Sequence, residues 1–94
     1  MIGFIYIVAL PQFIESNESV FKIGRSCDVF KKLKSYPKNT KLYFQIFCKK
    51  EVIKVLSEQF IQRTEFGRKY FEGPFSEIQK TITFTCASFV ECKQ

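Results

Sequence analysis

The chain opens on an unbroken apolar run, Gly3 to Leu10, that stops at Pro11. A run of β-branched and aromatic residues without polar alternation predicts a strand covered on both faces, in the middle of a sheet. Residues 12–18 turn polar and contain Ser16 and Asn17, which predicts a connecting loop. Residues 19–24 form a second short apolar run, close enough to the first to make a hairpin. Ser26 or Asp28 then stands where a cap is needed for a helix over about 29–36, whose apolar face carries Val29, Phe30 and Leu33. Pro37 ends it.

Residues 41–48 change the period. Leu42, Phe44, Ile46 and Cys48 alternate with Tyr43, Gln45 and Phe47, which predicts a third strand. Val52, Ile53, Val55, Leu56 and Phe60 then recur at helical spacing, predicting a helix over 51–65 with Gly67 just past its end. Residues 69–73 read as a short edge strand or turn. Pro74 opens a last helix near 75–82, with Phe75, Ile78 and Ile82 on one face. The apolar tail after it is expected to add a strand or meet a partner. The order describes an α/β (α+β) domain: a small sheet with helices packed on it, its core within 3–73 and a C-terminal helix and tail in 74–94. Phe4, Phe21, Phe44, Phe60 and Phe71 are the expected aromatic core.

With 94 residues there is material for one domain, and 12 phenylalanines supply its core. Fifteen basic against nine acidic residues leave a net charge of +6, which favours a polyanionic partner, nucleic acid above all. No stretch is long enough for a transmembrane helix, and the apolar start lacks the flanks of a signal peptide. An intracellular protein of cytoplasm or nucleus, neither secreted nor membrane-bound, is therefore expected. The four cysteines, at 27, 48, 86 and 92, form no CxxC pair and are expected to be reduced thiols. The chain has no histidine. That excludes catalytic triads, Cys-His nucleophiles and His-ligated zinc.

Two strand motifs, Phe4-Ile5-Tyr6 and Lys22-Ile23-Gly24, resemble the paired motifs of the GIY-YIG nuclease superfamily. The run KIGRSCDVFKKLKSYP is similar to the stretch after the second motif in the phage and large-DNA-virus branch, where "KIGRT" precedes a helix with "RL". LSEQF (56–60) followed by GRKYFEG (67–73) resembles that branch's "LH..F" and "G.EWF" pattern. The resemblance spans about residues 3 to 73. It implies a three-stranded antiparallel sheet flanked by helices, in a domain that cleaves DNA phosphodiesters with one divalent metal or binds DNA without cleaving it.

Carried over by position, the resemblance gives Tyr6 the task of organising the attacking water. Lys22 takes the place of the second motif's tyrosine, where a cation stabilises phosphate charge or acts as a base. Gly24 matches the motif glycine and permits close backbone approach. The family's arginine falls on Lys32, which keeps the charge and loses the bidentate fork; Arg25 is a candidate to substitute. The metal-binding glutamate falls on Ile53, which cannot hold a hard cation. A shifted alignment makes Glu58 the ligand for Mg²⁺ or Mn²⁺. Lys22, Arg25, Lys31, Lys32 and Lys34 form the expected nucleic-acid patch.

Three readings follow. One is a nucleic-acid-binding domain with a degenerate nuclease site, for DNA or RNA. Another is an active metal-dependent endonuclease using Tyr6, Lys22, Arg25, Lys32 and Glu58. The third is a catalytically dead viral interaction module that dimerises or binds protein through its tail.

Overall fold

The computed structural model describes residues 3–91, with side chains described up to residue 87. Five antiparallel strands form one sheet: β1 (Gly3–Ala9), β2 (Val20–Ser26), β3 (Lys41–Cys48), β4 (Ile61–Gln62) and β5 (Tyr70–Glu72), in the order β3-β1-β2-β5-β4. Four helices surround it: α1 (Pro11–Glu15), α2 (Val29–Leu33), α3 (Ile53–Gln59) and α4 (Phe75–Glu91). The α+β class and the antiparallel sheet meet expectation. The three-stranded count does not.

The central place expected of the first strand is observed. β1, the continuous apolar run, is buried along nearly its whole length between β3 and β2. β3, the alternating run, lies at the sheet edge and exposes Tyr43 and Phe47. Pairing registers then sort every β1 and β2 side chain onto one face or the other. Tyr6 faces Gly24 and Val8 faces Lys22 across one pair of strands, while Ile5 faces Arg25 and Ile7 faces Ile23. Because a strand alternates its side chains, Tyr6, Val8, Lys22 and Gly24 share one face and Ile5, Ile7, Ile23 and Arg25 the other.

Each face has its own core. On the Ile5/Ile7/Ile23 side, Val52 and Leu56 of the α3 segment and Ile78 and Ile82 of α4 join Phe21 and Phe71. On the Tyr6/Val8 side, Val29 of α2 packs with Leu33, Tyr36 and Leu42, and Phe13 of α1 packs with Leu10 and Val20. Of the expected core phenylalanines, Phe21 and Phe71 are buried, while Phe4, Phe44 and Phe60 pack partly buried against the clusters. Buried Ile78 and Ile82 also make α4 part of the core rather than an appendage to 3–73.

Four local expectations need correction. The loop over 12–18 begins as a helix: Pro11 fits its first position, and burial of Phe13 holds it. The helix expected over 51–65 stops at Gln59, because Phe60 turns extended and Ile61–Gln62 pair with β5 as a fifth strand. A strand partner here outweighs helical periodicity, and it moves β5 off the sheet edge. The tail is helix rather than strand through the described residues, as α4 continues to Glu91. Finally, Cys48 and Cys86 are joined in a disulfide that ties β3 to α4. The expectation of four reduced thiols fails for this pair. Formed disulfides belong with oxidising surroundings, so the cysteines lend no support to an intracellular location. Cys27 is free and exposed; Cys92 lies outside the described residues. Among the described residues no helix is long and apolar enough to cross a membrane.

Candidate nucleic-acid interface

The two early strand motifs meet side by side. Tyr6 is 2 % exposed, and its ring lies over Gly24, its cross-strand neighbour. A Cβ on Gly24 would sit 2.3 Å from the ring's Cζ and hydroxyl oxygen. The glycine is thus required by the tyrosine ring, a closer cause than the approach to helix or phosphate expected of it. The Tyr6 hydroxyl then reaches Tyr36, with 2.8 Å between the oxygens. Tyr36 follows α2, whose start is fixed by Asp28: its carboxylate accepts the Lys31 backbone N–H at 3.1 Å.

Lys22 emerges from β2 beside this pair. Its ammonium lies 4.9 Å from the centre of the Tyr36 ring and 5.6 Å from that of Tyr70. Two aromatic faces at this range favour the cation. Its pKa is nevertheless lowered, first by burial, then by the charges of Lys32 and Lys69. Burial raises the pKa of Tyr36, as does the hydrogen bond with Tyr6. Burial also raises that of Tyr70. Both phenols stay neutral, and the cluster carries positive charge only.

Lys32 therefore lies within electrostatic reach of Lys22, as expected, and both Lys31 and Lys34 are exposed on the same short α2 segment. Among the described residues, no salt bridge ties Lys22, Lys32 or Lys69 to a carboxylate. An amine repelled by two others, with no carboxylate salt-bridged to any of the three among the described residues, makes a site suited to an anion.

Two expected members fall elsewhere. Arg25 is adjacent to Gly24 in β2 and so points to the opposite face. There its guanidinium donates to the backbone carbonyls of Cys48 and Lys50 at the end of β3. Those bonds anchor the β3–α3 connection, and Arg25 does not join Lys22. Glu58 is exposed on α3, the helix that packs on the Ile5/Ile7 face. The sheet separates it from Tyr6. Ile53, the unshifted alignment's metal position, is partly buried against that same core.

Among the described residues no group of three or more His, Cys, Asp or Glu side chains could hold a metal ion. Beside Tyr6 and Lys22 the groups at hand are phenol hydroxyls and amines, which do not fit the divalent metal implied by the resemblance, and Glu58 lies across the sheet.

Lys69 and its neighbour Arg68 were outside the expected patch. The turn 63–69 and β5 bring them to Lys22, through the Lys22–Tyr70 register and the bond from the Ile23 amide to the Lys69 carbonyl. Lys22, Phe66, Gly67, Arg68, Lys69 and Tyr70 line a depression of about 400 Å³. The sequence signal was available: two cations directly before an aromatic strand. A larger groove, about 820 Å³, runs between α3 and α4 past Val55 and Phe84 on the other side of the sheet, but its charged residues are of both signs.

Compared with protein-family models, with curated proteins and with solved structures, the chain matches none.

Proposed function

We propose that the protein binds nucleic acid through the Lys22, Lys32 and Lys69 cluster on the α1/α2 face of its sheet, as a GIY-YIG-type domain with a degenerate nuclease site. The observation that carries this reading is Lys22 held over the rings of Tyr36 and Tyr70, within electrostatic reach of Lys32 and Lys69, with no salt bridge from the three to a carboxylate among the described residues. Phosphate supplies the missing charge, and each neutralised phosphate releases counterions. Lys31 and Lys34 on α2 extend the basic surface. The tyrosines set the height and direction of Lys22 and leave its ammonium free to contact a phosphate oxygen.

Cleavage is not part of the proposal. Hydrolysis with a metal requires oxygen ligands near the attacked phosphorus, and Glu58 lies across the sheet from Tyr6. Neither Lys22 nor the phenols offer a hard cation an anionic ligand in their neutral-pH forms.

The test is a binding titration of DNA at several salt concentrations. Lys22→Ala, Lys32→Ala and Lys69→Ala should each weaken binding across all sequences. Each should also reduce the slope of log affinity against log salt by about one. Wild-type protein that ignores DNA at low salt, or variants with unchanged slopes, would end this reading. Addition of Mg²⁺ or Mn²⁺ should leave plasmid DNA intact; nicking abolished by Glu58→Ala would restore the endonuclease reading.

A further inference from the structure

Resting on that reading, we infer that the depression beside Lys22 takes one unpaired nucleotide, its base against Phe66 and its phosphate among Lys22, Arg68 and Lys69, so that the protein favours single-stranded over duplex nucleic acid. Phe66 is 39 % exposed, unusual for a phenylalanine with so many neighbours. Its ring is held at 4.9 Å from Phe13, edge-on, and 6.0 Å from Tyr70. The Arg63 guanidinium lies over one face of the ring, 5.1 Å from its centre, so a base would stack on the other face. A side chain fixed on several sides and still open to solvent is a preformed stacking platform.

The charge around it agrees. Glu65 and Glu72 are both engaged by Arg63, at 2.8 Å and 2.7 Å. The lining of the depression contains cations and aromatics and no carboxylate. Gly67 stands between the aromatic and the cations with φ +145°, in the region that favours glycine. A Cβ there would also sit 3.1 Å from the Tyr70 ring. Aromatic faces alternating with cations are what an unpaired strand can use, since every base has a π-face and duplex bases are hidden from it.

Fluorescence anisotropy tests this with a labelled oligothymidylate of about 12 nucleotides and a duplex of equal length at the same salt. Wild-type protein should bind the single strand several-fold more tightly. Phe66→Leu, which keeps the packing against Phe13 and loses the π-face, should cost roughly tenfold in single-strand affinity, the size of one lost stack. Its cost in duplex affinity should be clearly smaller. Phe66→Trp should restore the preference. Equal or tighter duplex binding by the wild type, or equal losses on both ligands in Phe66→Leu, overturns the single-strand inference and leaves polyanion binding standing. No binding of either ligand sinks both. Circular dichroism on each variant checks that the fold is kept, and the Phe66→Trp variant keeps the comparison informative if Phe66→Leu unfolds.

Discussion

Gly24 lacks a side chain because Tyr6 occupies the space where one would stand. The contact is across two paired strands, so the ring cannot withdraw without disturbing its hydroxyl bond to Tyr36. Gly24→Ala should destabilise the fold by about 1–3 kcal/mol, the usual range for overpacking, measured by urea unfolding. In the Tyr6→Ala background the same change should cost far less. A full cost there would mean that something other than the ring excludes the Cβ. The neighbouring Lys22 works in the other direction. Its folded pKa is lowered from 10.5, first by burial and then by Lys32 and Lys69. Between the folded and unfolded values the unfolded chain holds more protons, so stability rises as pH climbs through that window and the charged amine opposes folding below it. Lys22→Met should therefore raise the melting temperature at pH 7 while weakening DNA binding. A lower melting temperature would show that the rings of Tyr36 and Tyr70 more than offset burial and repulsion. That pair of outcomes would set stability against the proposed binding role at this residue.

Among the elements, α4 and β3 are the pair joined covalently among the described residues. Ile78 and Ile82 are fully buried against the sheet, and one turn beyond them Cys86 reaches Cys48 at the end of β3. The bridge spans 38 residues of sequence, and a cross-link of that span constrains the unfolded chain by about 4 kcal/mol in the loop-entropy account. Reduction, or Cys86→Ser, should lower stability by about 2–4 kcal/mol without changing DNA affinity at temperatures where the protein stays folded, because the lysine cluster lies on the other face. Calorimetry with and without reductant checks the first part and the anisotropy titration the second. An unchanged unfolding transition would show that the bridge contributes nothing. Element boundaries were less legible than element identity. The 51–65 periodicity located a helix, but Phe60 leaves it because a strand partner is waiting at β5, and nothing within those fifteen residues announces that partner. α1 was hidden for the opposite reason: five residues with two apolar positions are too short to show a period, and only burial of Phe13 reveals them.

At the scale of the whole molecule, the sheet acts as a divider. It places Tyr6, Lys22, Tyr36 and Tyr70 on one side and Arg25 and Glu58 on the other. The chain's local chemistry fixed a good deal of this by itself. The continuous apolar run made β1 central, and the alternating run made β3 a strand. Both depend on composition and spacing within about ten residues, where side-chain periodicity and chain stiffness govern. Motif order over a longer span also brought Tyr6, Lys22 and Lys32 forward as one group. The facing of Arg25, the separation of Glu58, the arrival of Lys69 and Phe66 at Lys22, and the pairing of Cys48 with Cys86 were decided only in three dimensions. Each depends on which strand lies beside which and in what register. A shift of one residue in that register turns a side chain to the opposite face, and registers are set by contacts between segments far apart in the chain.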